Sequence, residues 1–466
     1  MKGKTAMPFE GKMQGKEITM NEMLEARELR AVKQRELLEH YGMTLISFTL
    51  NIAGPVKTSA LIEKTFNEGR MQIGYRCTAE RFEIIHREEN HSECGWELFA
   101  VLNAPAKSVK AAMCRLEERS GLGRLFDIDV IDADGHKVSR TELGLEGRRC
   151  LICGESAAAC GRSRRHSVAQ LQQRTAEIIN EYFASKRADE VSSAAVRALQ
   201  YEVMTTPKPG LVDQKNSGAH RDMDMDSFFI SALELRPAFR TFFLTGVDNA
   251  LTESGCFARL RETGVDAEAC MRMVTKGVNT HKGAIFSMGI FCAALGRMWA
   301  DGEPLNMDTL RLRCIAAAAP VAADFARIQR NAGVTAGEKL FAAEGITGVR
   351  GEALKGFPTL FETALPRYRE LRTAGLNRND AGAITLPAII AAAEDTNIAA
   401  RTSAETMRCI RAEFDALMKC GLTAAEWLDR LNELDADFIR MNISPGGSAD
   451  ILALVYFVDI LLTGQA

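Results

Sequence analysis

The chain changes texture along its length, and that change limits the folds open to it. From about Ala194 onward, signals for β-strands nearly vanish. Ala-, Leu- and Met-rich stretches take their place, such as AIFSMGIFCAALGRMWA from Ala284 and AITLPAIIAAAE from Ala383. Both have the length and composition of helices. Loops rich in Gly, Pro and Asn separate them. Such a half is expected to be all-α, with its chemistry in the loops.

Residues 1–165 read differently. Leu24–Tyr41 carries apolar and charged residues at helical spacing. MTLISFTLNI, from Met43, reads as a strand stopped by Gly54-Pro55, and Trp96–Leu102 as a second. Ala106–Arg119 is an amphipathic helix ended at Gly121, and Phe126–Asp132 a third strand. Asp134-Gly135 should turn the chain into HKVSR as a hairpin. The order predicts an α+β domain with a mixed sheet. Segment 167–190 is polar, helical and free of Gly and Pro, the pattern of a connecting helix. A length of 466 residues suits two or three domains. The expected division is 1–182 and 183–466.

Composition narrows the function. Hydrophobic residues at 46% and charged residues at 26% suit ordered globular cores. A net charge of −3 argues against broad nucleic-acid binding, though not against a local phosphate site. The first twenty residues lack a continuous apolar run, so no secretory signal is expected. ILALVYFVDILL near the C-terminus is short for a bilayer and carries Asp459. The expectation is a soluble, cytoplasmic protein with no membrane partner, its 12 cysteines reduced.

Candidate chemistry in the first part centres on GLGRLFDIDV, from Gly121. On a strand, Asp127 and Asp129 share one face, and Phe126, Ile128 and Val130 the other. Neighbouring carboxylates suit Mg²⁺ together with substrate phosphates, and Arg124 just upstream suits a phosphate. The plainer alternative is a solvated acidic face. Cys150, Cys153, Cys160 and His166 follow, in a segment rich in arginine. Three thiolates and an imidazole match a tetrahedral Zn²⁺ set; reduced, partly buried thiols are the other reading, and both stay open.

In the second part, five polar loops each abut an apolar helix. Thr205–Asp226 crowds Lys208, Asp213, His220, Asp222 and Asp224 into one loop. Gly277–Gly283 carries Asn279, His281 and Lys282 directly before a helix start, where free N–H groups favour phosphate. Gly345–Pro358 adds Arg350 and Glu352. Asp395 and Asn397 precede Arg401, and Asn442–Asp450 ends on Asp450. Singly, each is a weak signal: the first can be a solvated surface loop, and the second a helix cap with a stray histidine. Together they favour one site for a phosphate-rich ligand, with carboxylates, Lys and His for proton exchange.

These motifs carry a resemblance. Residues from about Ile18 to His166 resemble holo-citrate lyase synthase, the CitX type. The matching elements are Arg27-Glu28-x-Arg30, Leu50-Asn51-Ile52-x-Gly54-Pro55-x-Lys57, Gly123-Arg124-Leu-x-Asp127-Ile-Asp129-Val, and Arg149-Cys-Leu-x-Cys153 through Cys160 to His166. Residues from about Ser192 to Leu461 resemble triphosphoribosyl-dephospho-CoA synthase, the CitG type, through TPKPGLVD, GAHRDMD, NTHKGAIF, GVRGEA, DTN and SPGGSAD. The pair implies a bifunctional fusion. Its second half would join the ribose of ATP to the 2′-hydroxyl of 3′-dephospho-CoA, releasing adenine. Its first half, with nucleotidyltransferase-like chemistry, would pass the product to a serine of the apo acyl carrier protein (gamma) subunit of citrate lyase, releasing pyrophosphate. The resemblance implies Mg²⁺ at Asp127 and Asp129 and catalytic roles for Arg124, His220, Asp222, Asp224 and Glu352. Substrate binding would fall to Lys57, Lys208, Asp213, Asn279, His281, Lys282, Arg350, Asp395, Asn397, Arg401 and Asp450. Two rival readings remain: a Mg²⁺-dependent hydrolase of ribosylated substrates, and a non-catalytic assembly factor for the lyase.

Overall fold

The computed structural model describes residues 15–330 and 335–464. Of the twenty residues behind the expectation of no secretory signal, the first fourteen lie outside them. The chain separates into two compact units, with the break between Ala184 and Ser185.

The first unit opens with helix α1 (Met20–Tyr41), started by a reciprocal Thr19/Glu22 capping box and ended at Gly42. Strand β1 (Thr44–Leu50), helix α2 (Ala60–Ala79), strands β2 (Glu83–Ser92) and β3 (Gly95–Asn103), helix α3 (Ala106–Glu118) and strand β4 (Phe126–Ile131) follow. The sheet order is β2-β3-β1-β4, and every pair is antiparallel. This corrects the expected mixed sheet. Helices α2 and α3 each join strands that run the same way, but an opposite-running strand lies between them. The result is a split β-α-β pair, the βαββαβ arrangement. The Asp134-Gly135 turn forms, with Val138 N–H bonded to Val130, but HKVSR adds only one bridge, Ile131 to Lys137.

The two sheet faces differ. One is apolar: Phe48 stacks on Phe66 and meets Phe126 edge-on. Helix α2 comes so close here that a Cβ on Gly69 would lie 2.5 Å from the Phe48 ring. The other face grades from apolar to polar along each strand: Leu45, Ser47, Thr49 on β1; Val101, Phe99, Glu97 on β3; Ile131, Asp129, Asp127 on β4. Leu37 of α1 packs on the apolar end. Arg30 of the same helix pairs with buried Glu97 toward the polar end, at 2.5 Å.

Helix α4 (Ala157–Ser163) is short, and α5 (Val168–Met204) runs 37 residues. The segment expected as a polar connector is only partly solvated. Ile178, Ile179 and Phe183 recur at helical spacing and are buried in the first unit.

The regular structure of the second unit is all helical among its described residues. It continues with α6 (Met225–Glu234), α7 (Arg236–Val247), α8 (Glu253–Val274), α9 (Lys282–Ala300), α10 (Met307–Ala318), α11 (Val321–Arg330) and α12 (Ala336–Glu344). Then come α13 (Gly348–Leu354), a π-turn at Thr359–Ala364, α14 (Leu365–Thr373), α15 (Arg378–Ala392), α16 (Thr396–Arg401), α17 (Ala404–Met418), α18 (Ala424–Arg440) and α19 (Gly446–Thr463). Helices α9 and α19 are long and apolar enough to cross a membrane, but they contribute many of the buried residues of this unit's core.

Candidate active sites

In the first unit, the polar end of the sheet opens into a cavity of about 400 Å³. Arg27 and Arg30 from α1, Lys57, Ser59, Trp96 and Asp127 are among its lining residues. The Lys57 ammonium lies 2.5 Å from the Ile52 carbonyl. Burial, and then the nearby Arg27 charge, lower its pKa. Two cations beside one cavity raise the local positive charge there.

The strand alternation is as read from the sequence: Asp127 and Asp129 stand on the polar face. Only Asp127 lines the cavity. Asp129 pairs with Lys137 at 2.6 Å, and that lysine side chain is 61% exposed, so the pair is weak and displaceable. Arg124 lines another hollow and donates to the Arg149 carbonyl. The arginine beside Asp127 is Arg148, 3.8 Å away, which also donates to Glu117 and to the Phe126 carbonyl.

In the second unit, all five polar loops line two adjoining cavities of about 380 and 220 Å³. The larger holds Arg350, Glu352 and Asp395; the smaller holds Lys208, His220, His281 and Arg401. Asn279, Lys282, Gly283, Asn397 and Asp450 line both. The long helices α9 and α19 begin here, so their positive dipole ends face the space.

Charge is concentrated at the junction. Lys208 and Glu202 form a buried ion pair, and the ammonium also reaches the Glu202 carbonyl at 2.7 Å. Asp450 lies deep in the unit but is open to the cavities. Burial, then the Glu202 and Asp395 carboxylates, hold its pKa well above the usual carboxylate range. Burial raises Asp395 as well. Its oxygens take Asn397 N–H and Ile398 N–H on one side and Ser448 N–H and Oγ–H on the other. It thereby ties the start of α16 to that of α19. Glu352 accepts from Thr359 Oγ at 2.7 Å and is raised by burial.

Both histidines are held neutral. His281 is pushed down to about 3 by burial and then the Lys208 charge; its Nδ1 meets Ser231 Oγ at 2.7 Å. Its Nε2 is buried without a hydrogen-bond partner among the described residues. His220 is pushed down to about 4 by burial and then Arg401, whose guanidinium is 3.0 Å from Nδ1.

The chain's relatives can now be set beside this geometry. The CitG family, ATP:dephospho-CoA triphosphoribosyl transferase, matches residues 188–466. The CitX family, apo-citrate lyase phosphoribosyl-dephospho-CoA transferase, matches residues 18–182. "Protein CitXG" of Haemophilus influenzae is 35% identical over 95% of this chain and 96% of its own. "Protein CitXG" of Leuconostoc mesenteroides subsp. cremoris is 34% identical over 97% and 99%. The chain belongs to the CitXG family. It is a bifunctional transferase for the synthesis and attachment of the citrate lyase prosthetic group.

Within this CitXG member, not every expected residue reaches a cavity. Asp213 is buried in its own loop, accepting from the backbone of Lys208, Lys215 and Asn216. Asp224 caps α6 through Ser227. Asp222 is exposed, 3.9 Å from His220. Conversely, Glu202 was not singled out, although it is the lone acid in the helical run AVRALQYEVM. Arg27 and Arg30, three apart on one helix face, also received no role.

Proposed function

We propose that the two cavities of the second unit hold ATP and 3′-dephospho-CoA, and that transfer occurs where they meet. The observation that carries this is the shared wall of Asp450, Lys282, Asn279 and Asn397. The helix starts, Lys282, Arg350 and Arg401 suit the triphosphate. The bond from adenine to the ribose anomeric carbon breaks as the 2′-hydroxyl of dephospho-CoA bonds to that carbon. The ribose passes through an oxocarbenium-like state that a carboxylate stabilises, while an acid protonates adenine and a base takes the hydroxyl proton. Asp450, whose pKa burial and the neighbouring carboxylates hold above the usual carboxylate range, suits proton exchange; Glu352 is the second candidate. The product is 2′-(5″-triphosphoribosyl)-3′-dephospho-CoA.

In the first unit, Arg27, Lys57 and Arg30 would hold the triphosphate of that product. The serine oxygen of the apo acyl carrier subunit bonds to the α-phosphorus, its proton leaves with the departing pyrophosphate, and the bond to pyrophosphate breaks. Asp127 and Asp129 offer hard oxygen ligands on one face, and Asp129 is held only by an exposed lysine, so the donors fit Mg²⁺. When bound, Mg²⁺ supplies charge stabilisation to the transferring phosphoryl group. The twelve unpaired cysteines support a reducing, cytoplasmic setting.

The test is incubation with ATP, Mg²⁺ and dephospho-CoA, with adenine followed by chromatography. Adenine release that requires dephospho-CoA is expected. Release without it would favour a hydrolase, and no release at all would leave an assembly role.

A further inference from the structure

The transfer chemistry leaves one chemically distinctive cluster unused. Cys150, Cys153, Cys160 and His166 place their ligand atoms all within 4.8 Å of one another. The Sγ atoms of Cys153 and Cys160 are 3.4 Å apart. Tetrahedral Zn²⁺ with bonds of about 2.1–2.3 Å sets ligand edges of roughly 3.5–3.8 Å, so small adjustments close the set.

Local structure points the same way. Cys150 and Cys153 lie on a tight hairpin, bridged between Arg149 and Ser156 and passing through left-handed Gly154. Cys150 N–H bonds to the Glu155 carbonyl at 2.6 Å, and Ile152 N–H points at the Cys150 sulfur at 3.5 Å. Cys160 comes from α4, and His166 follows its end. The His166 Nε2 is buried and without a hydrogen-bond partner among the described residues. Burying a ring nitrogen unpaired is unfavourable. The rest of this stretch has almost no core. Between residues 149 and 167 the only buried residues are Cys150 and Cys160, two members of the cluster itself. A segment this short and exposed needs a cross-link to hold one shape.

We propose that Cys150, Cys153, Cys160 and His166 bind one structural Zn²⁺. All four positions are protein ligands, so the site is closed and does no chemistry on substrate. Its work is to fix the hairpin that follows Arg148, the guanidinium beside Asp127, and that offers the Arg149 carbonyl to Arg124. The metal would hold the basic rim of the transfer site in place.

The test uses the full chain, purified without chelators, and reads metal rather than activity. Elemental analysis should find about one zinc per chain. Replacing zinc with Co²⁺ should give the visible bands and thiolate-to-metal charge transfer of a tetrahedral sulfur-rich site. His166→Cys should keep a tetrahedral cobalt spectrum with stronger charge transfer, whereas His166→Ala and Cys153→Ser should lose it. Should those variants fail to fold, thiol titration of the parent decides. Three thiols, those of Cys150, Cys153 and Cys160, must become reactive when a strong chelator removes the metal. Zinc-free protein with no cobalt spectrum, a Cys153–Cys160 disulfide in mass spectra, or a cobalt spectrum unchanged by His166→Ala would each overturn the site.

Discussion

The carboxylate of Asp450 fills the space that a side chain on Gly283 would need: an added Cβ would lie 1.9 Å from Oδ2. Asp450 also accepts the backbone N–H of Ala284, so it sits on the first turn of α9. Gly283→Ala should therefore displace Asp450 from the junction of the two cavities. Adenine release should fall at least about tenfold, equivalent to roughly 1.4 kcal/mol, while carrier modification from supplied intermediate is unchanged. Normal adenine release would remove Asp450 from the chemistry.

The buried histidines predict a pH dependence of stability. Folding lowers both from 6.5, His220 to about 4 and His281 to about 3. Below pH 6.5 the unfolded chain binds protons that the folded chain does not, so each histidine costs stability as pH falls. The slope is about 1.4 kcal/mol per pH unit for each proton. Raised carboxylates such as Asp395 and Asp450 act with the opposite sign. The difference between parent and variant isolates the histidine term. His281→Asn should flatten the acid side of the stability curve between pH 6.5 and 4, measured by urea unfolding. Parallel curves would mean that His281 titrates in the fold as it does in water.

The Lys208–Glu202 pair is almost wholly buried, with side chains 1% and 6% exposed. Glu202→Gln leaves the ammonium without its counter-charge and should destabilise the second unit by about 3–5 kcal/mol. Adding Lys208→Met should recover much of that loss in a denaturant series. A double variant no more stable than the single would show that the pair's value lies elsewhere than in charge balance.

What could be read from the sequence followed hydrophobic pattern. Phe126, Ile128 and Val130 gave β4 its strand period, and the bare apolar composition of α9 and α19 gave the helical core. Strand β2, EIIHREENHS, escaped because it is an edge strand whose side chains are mostly exposed, so it lacks the buried alternation that marks a strand. Helix α2 escaped because Gly69 and Gly74 interrupt its pattern; Gly69 is there to admit Phe48. The antiparallel pairing of the sheet is not legible in the sequence because strand order is a tertiary property that no local period encodes. In the site, the loop signals located both cavities, but charge density alone did not separate Asp450, at the junction, from Asp213 and Asp224, which serve their own loops. Glu202 was hidden because its partner Lys208 is contributed by the next loop.

The central claim is that one chain carries two separate sites, and that Asp127 belongs to the transfer site alone. The most direct measurement gives Asp127→Asn protein ATP, Mg²⁺, dephospho-CoA and apo carrier subunit together, then follows adenine by chromatography and the carrier serine by mass spectrometry. Adenine should appear at the parent rate, the triphosphoribosyl intermediate should accumulate, and the carrier should stay largely unmodified. Near-normal carrier modification, or loss of adenine release along with it, would contradict the account.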